Sequence, residues 1–316
     1  MWPRRQIGCA VVALAMAAST QSSARAESSV ELPGSVVQFP RLEQITLERI
    51  DLQIGLEAVR VTYSLRNVSK DAQAFLATIT LPDLDMMSLV GEDVRLPVPA
   101  DSNFTDLVVS IDGVLVVPAL DQRAMALGLD VTRLLFDNAI PLFPFAHGIG
   151  ERFGALSPDT RKMLGERGVT LVDRNMTKPA WTLKSTFHWP MRIAPGATVV
   201  ISIAYRPIAG SRRFDVGDVE KFASAYCAAP FMQSILQKRI AGGQTPQFFK
   251  SVLLTVPWSA GQIGPAGRLR ITVLIPDEKV LASTCREGFR RTGPLTLEWE
   301  GPDAALEEDL SVAFVR

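Results

Sequence analysis

Val59, Val61, Tyr63 and Leu65 alternate with Arg60, Thr62, Ser64 and Arg66, and a period of two commits this stretch to a half-buried strand. Successive strand side chains point to opposite faces, so one face here is apolar and the other is wet. The same beat runs just upstream, where Ile50, Leu52 and Ile54 alternate with Asp51 and Gln53 before a turn at Gly55. A polar run at residues 67–71 interrupts it. Phe75, Ala77, Ile79 and Leu81 then resume it, until Pro82 removes a ladder donor. Residues 107–111 and 114–117 are apolar runs on either side of Asp112-Gly113, the pair that most strongly marks a short hairpin.

From Leu120 to Arg174 the pattern changes. Asp130 is placed to cap a short helix, and Ser157 followed by Pro158 starts another that Gly165 or Gly168 ends. Pro141 and Pro144, around Leu142, Phe143 and Phe145, exclude a regular helix between them. Alternation returns in Trp181, Leu183, Phe187 and Trp189, and again in Val199, Ile201, Ile203 and Tyr205. Val219, Phe222 and Tyr226 have helical spacing, Pro230 opens a further helix, and four more strand-like runs follow from Phe249 onward. The expected fold is mainly β with inserted helices: sandwich-like layers of antiparallel strands with a helical insertion in the middle. The divisions are a leader at 1–26, an N-terminal β region at 27–119, the helical insertion at 120–178, and a C-terminal β region with an inserted helix at 179–316.

The leader reads as a cleavable export signal. Arg4 and Arg5 precede an apolar core of about 12 residues, and Ala24-Arg25-Ala26 offers a small-x-small cleavage site. That core is too short for a bilayer needing ~20 helical residues, and no later segment approaches that length. Cleavage after Ala26 predicts a periplasmic or secreted product without a transmembrane segment. It also leaves Cys227 and Cys285 as the remaining cysteines in an oxidising compartment, where an even pair this far apart favours a structural disulfide. The whole chain has 33 basic and 33 acidic side chains. Arg4, Arg5 and Arg25 leave with the signal, so the mature protein is acidic by three charges. That argues against nucleic acid as a partner, which needs clustered Lys and Arg.

Few residues carry reaction chemistry. His147 and His188 are distant from each other, and no His-rich metal set or Asp-x-Asp-x-Asp-Gly order occurs, so neither a metal nor a cofactor is expected. There is no Gly-x-Ser-x-Gly elbow and no phosphate-binding Gly-rich loop after a strand. Four tryptophans lie in or beside strands and are expected mostly in the core. Trp258, after Pro257, is the one placed to meet a ligand at a rim. Phe143, Phe145 and His147 in the insertion are candidate ligand or partner contacts, with simple capping of an open sandwich end as the competing reading.

The quoted strands also resemble a known family, the exported bacterial proteins grouped as domain of unknown function 4424. The resemblance is carried by Glu31-Leu32, by Asp51-Leu52-Gln53-Ile54, by Val59 to Asn67 with its x-Val-x-Tyr-x-Leu-x-Asn pattern, and by Leu81-Pro82-Asp83. Tyr205-Arg206-Pro207, Tyr226-Cys227, Trp258 and Cys285 before Gly288 extend it across nearly the whole mature chain. Departures fall at Glu27-Ser28-Ser29, at Pro33-Gly34-Ser35 and at Ile79-Thr80, where the family has Asn-Asp-Ser, Gly-Gly-Leu and Phe-Pro. The resemblance implies export and a β-rich fold, and it implies no reaction. The expectation is a non-enzymatic envelope protein, held by one disulfide, that binds a ligand or another envelope protein. The alternative is a periplasmic hydrolase using His147 with a nearby carboxylate or serine.

Overall fold

The structure is a computed structural model and describes residues 28–40, 42–99, 102–173, 176–243, 247–254, 267–302 and 309–316. Residues 1–26, expected to be an export leader, and Trp258 lie outside the described residues.

Two sheets enclose the main core. The larger has eight strands in the order Arg290–Gly293, Thr296–Gly301, Arg268–Leu274, Ile45–Ile54, Val59–Asn67, Thr198–Tyr205, Val108–Ile111 and Val114–Val116. Every pairing is antiparallel except that of Arg268–Leu274 with Ile45–Ile54. The smaller sheet runs Val37–Gln38, Gln73–Thr80, Thr182–Ile193, Ala119–Ala126 and Leu129–Asp130, with Leu84–Asp85 also on the Thr182 end. The alternation accounts for the layering: Val59, Val61, Tyr63 and Leu65 are buried, and so are Leu183, Phe187, Trp189 and Met191 on the opposing sheet. The Tyr63 hydroxyl ties the layers together by accepting from the backbone N–H of Val37 at 3.1 Å. Pro190 lies inside a strand, but pairing with Ala119–Ala126 stops at His188, so beyond that point one edge has no neighbour to miss its N–H.

The middle of the chain is less helical than its sequence suggests. Helices Thr132–Asp137, Ile149–Ala155 and Pro158–Glu166 are present, and the Ser157 side chain accepts from Thr160 N–H as an N-cap should. Yet Ala119–Ala126 is a strand of the smaller sheet, and Thr170–Asp173 pairs with Met176–Pro179 as a separate hairpin. The Trp181 indole N–H reaches the carbonyl of Leu142 at 2.8 Å and pins the proline-rich loop to the sandwich.

A third sheet, Gly210–Phe214, Gln247–Leu254, Leu310–Val315 and Leu281–Thr284, carries helices Val219–Tyr226 and Pro230–Ala241. Val219, Phe222, Met232, Leu236 and Ile240 bury themselves against Phe249, Ala313 and Val315 in a second, smaller core. Cys227 and Cys285 are joined by a disulfide that closes 58 residues and ties the end of the first of these helices to the sheet.

Candidate functional site

Residues 28–39 form a strap that reaches the third sheet. The Ser29 N–H meets the Ser211 carbonyl at 2.7 Å and the Ser211 N–H returns to Ser29 at 3.0 Å. Leu32 N–H donates to Ile208 O and Gly34 N–H to Leu253 O. Between this strap, helix Val219–Tyr226 and the sheet lies a cleft of about 590 Å³. Its chemically informative walls are Glu31, Arg212, Lys221, Tyr226 and Ser251.

Glu31 is placed by the backbone on both sides of it. A side chain at Gly210 would put its Cβ 2.8 Å from the Glu31 Cβ, so glycine there lets the strap lie flat on the strand. The buried Ser251 hydroxyl donates to Glu31 Oε2 at 2.9 Å. Glu31 Oε1 is buried and has no hydrogen-bond partner among the described residues. Burial pushes this carboxyl above its ordinary pKa, and the Ser251 hydrogen bond partly opposes the rise. Tyr226 is also pushed up, first by burial; the nearby Glu31 charge raises it further, while Ser251 and Arg212 act in the other direction. One phenol therefore feels both the carboxylate and the guanidinium.

The aromatic wall is built in depth. Tyr226 is half-buried, with ring centroids 5.2 Å from Phe222 and 5.6 Å from Phe249, and those two rings stand 5.3 Å apart. Cys227 ends the helix in the left-handed region at φ 52 and fixes the Tyr226 end through the disulfide. The Tyr226 carbonyl also accepts from Ser283 at 2.8 Å. At the mouth, Lys221 Nζ lies 3.6 Å from Asp218. No imidazole contacts Ser251, whose proton is committed to Glu31, so the pair can orient a bound group but lacks the parts of an acyl-transfer site.

The candidate contacts from the sequence fall elsewhere. Phe143 is buried and stacks on Phe104 with centroids 6.1 Å apart, and Phe153 is buried against Trp181. Both rings therefore belong to the main core. Phe145 is half-buried 6.0 Å from Phe143. His147 is exposed, with no hydrogen bond or ion pair among the described residues. Along the loop that holds prolines 141 and 144, Phe143 is buried, Phe145 half-buried and His147 exposed. Trp181 and Trp189 are core residues; Trp299 is half-buried beneath the Arg286 guanidinium, 4.0 Å from its ring centroid. Among the described residues no group of three or more His, Cys, Asp or Glu is placed to hold a metal ion.

The insertion does carry an open concavity of about 600 Å³ near Arg133, Phe136, Ile140 and Leu142. Its one carboxylate, Asp130, is already accepting from Thr132 N–H. The polar cleft is the stronger candidate because it alone of the two contains a buried oxygen with nothing to accept. Sequence reasoning missed it because its parts are 220 residues apart, Glu31 against Ser251. Two signals were available. Ser251 shares the inward phase of Phe249 in an apolar strand, and Glu31 and Tyr226, one from each of two pairs that carry the family resemblance, both line the cleft.

Comparison with known proteins adds the following. A family model described as "Domain of unknown function (DUF4424)" matches residues 26–313. No curated protein matches the chain. Among solved structures, the chain is similar to a Legionella pneumophila protein described only provisionally as a nutrient binding protein. The TM-score is 0.49 and the identity 12%, covering 91% of this chain and 72% of that one.

Proposed function

The chain belongs to the family described as domain of unknown function DUF4424, and we propose that it is an exported, non-enzymatic protein of the bacterial periplasm that binds a small polar ligand in the Glu31 cleft. The observation that carries this reading is Glu31, which lines a concavity of ligand size while its Oε1 is buried with no hydrogen-bond partner among the described residues. Proteins rarely desolvate a carboxylate oxygen without giving it a partner, and an incoming N–H or O–H would supply one. Export is supported by the leader pattern and by the disulfide, which belongs to oxidising compartments. No helix among the described residues is long and apolar enough to cross a membrane.

The test is thermal melting of the mature protein, residues 27–316, against a panel of small polar metabolites. Ala225→Trp, on the exposed side of the helix at the cleft, fills the site without touching the core. A compound that raises the wild-type melting temperature and leaves the filled variant unmoved supports the reading; a compound present at a hundred times its Kd should stabilise by about 2.7 kcal/mol. A panel that shifts neither protein, or both alike, contradicts it.

A further inference from the structure

Resting on that reading of the cleft, we infer that its ligand is a small zwitterion of the amino-acid or short-peptide class, held with its ammonium on Glu31 and its carboxylate on Arg212. Both charges line the same cleft and both act on the Tyr226 phenol, in opposite senses. They nevertheless form no ion pair with one another. Glu31 spends Oε2 on Ser251, and its buried Oε1 has no hydrogen-bond partner among the described residues. The Arg212 side chain makes no hydrogen bond or ion pair among the described residues, whereas Lys221 is engaged with Asp218.

Two opposite charges facing one space without meeting are complementary to a molecule that carries both. The backbone holds them apart: the reciprocal Ser29 and Ser211 hydrogen bonds and the close approach of Glu31 to Gly210 clamp the strap to the strand beside Arg212. A neutral polyol would leave the desolvated Glu31 charge uncompensated. A simple cation would face Arg212 and Lys221, and a simple anion would face Glu31, Glu92 and Asp218. About 590 Å³ suits an amino acid or dipeptide with some water, and the half-buried Tyr226 ring gives an apolar side chain a surface to lie on. An ammonium group on Glu31 Oε1 would make a charge-assisted hydrogen bond, the stronger kind.

The experiment is calorimetric titration of the mature protein with the twenty amino acids and alanyl dipeptides. For the tightest of these, its decarboxylated amine, its deaminated acid and glucose are then titrated. The expected result is a zwitterion bound at least tenfold more tightly than either single-charge analogue or glucose. Glu31→Gln should weaken the zwitterion and the amine at least tenfold and leave the deaminated acid unchanged. Arg212→Gln should do the reverse, weakening the zwitterion and the acid while sparing the amine. A cooperative melting transition and an unchanged far-UV circular dichroism spectrum for each variant confirm that both are folded. The inference is overturned if an analogue or glucose binds as tightly as the zwitterion, or if neither substitution discriminates. Should such a compound bind and Ala225→Trp abolish it, the ligand class falls while the cleft stands as a binding site. If no compound of any class binds, both fall together.

Discussion

Glu31 and Asn67 show two ways of burying a polar side chain, one left open and one fully used. Asn67 is completely buried, and its amide Nδ2 donates to the carbonyls of Asp71 (2.8 Å), Ile193 (3.0 Å) and Ala194 (3.1 Å). Its Oδ1 accepts from the N–H and hydroxyl of Ser69. Asn67→Ala would strand these groups and should cost about 3 kcal/mol in urea unfolding. Asn67→Asp should cost more, because an anion would then face three carbonyl oxygens. A loss below about 1 kcal/mol for both would mean the site rearranges freely. Glu31 predicts a pH effect instead. A carboxyl whose pKa is higher in the folded protein holds its proton more tightly there. That contribution to stability is complete below its unfolded value and is lost as pH rises through the raised folded value. Glu31→Gln removes the loss, so melts from pH 4 to 7 should show the variant gaining on the wild type as pH rises. A flat or opposite trend would contradict the burial. At this scale the alternation placed Asn67 in the polar run that interrupts the strand, whereas it is the strand's buried last residue, and the sequence was nearly silent about Glu31, whose environment is made by residues 210 and 251.

Elements were legible where their boundaries carry their own chemistry. The Asp112-Gly113 hairpin forms as expected, with φ 49 and 80 at the turn, and Pro158 sits just inside its helix. Strand Ala119–Ala126 was hidden for a reason of the same kind. Its turn into Leu129–Asp130 has φ 50 and 81 at Leu127-Gly128, the geometry an Asn or Asp would have announced, but leucine occupies it. Its inward residues include the small Ala124 and Ala126, whose apolar signal is weak, so pairing with Thr182–Ile193 decides its state. Arg290–Gly293 has no apolar alternation at all and exists as an edge partner of Thr296–Gly301. The disulfide is the element-scale feature with the largest expected effect. Closing 58 residues lowers the entropy of the unfolded chain by about 4 kcal/mol in free-energy terms. Replacing Cys227 and Cys285 with serine should lower stability by that order. Hydrogen exchange should rise first in Val219–Tyr226 and Pro230–Ala241, while Val59–Asn67 stays protected. Uniform loss of protection across all sheets would show that the staple holds more than the smaller core.

The whole molecule is closed by a connection no local pattern encodes. Arg268–Leu274 lies parallel to Ile45–Ile54, so the N-terminal and C-terminal parts of the chain share one eight-stranded sheet. The strap carries the N-terminal part onward to the third sheet as well. Periodicity gives a strand its two faces and says nothing of its neighbour, which is why a β-rich, helix-interrupted chain was readable while its sheet order and its cleft were not. This shared sheet predicts that far-UV circular dichroism and tryptophan fluorescence report one coincident unfolding transition for the mature, oxidised protein. Two separated transitions would show that the ends of the chain fold independently. The proposed ligand site is the cleft between strap, helix and sheet. The most direct measurement is amide chemical-shift mapping of the mature protein during titration with a pooled extract of small polar metabolites. Shifts should concentrate at residues 28–31, 210–212, 218–226 and 249–251. An unperturbed cleft, with shifts gathered instead around residues 130–142 of the insertion, would contradict it.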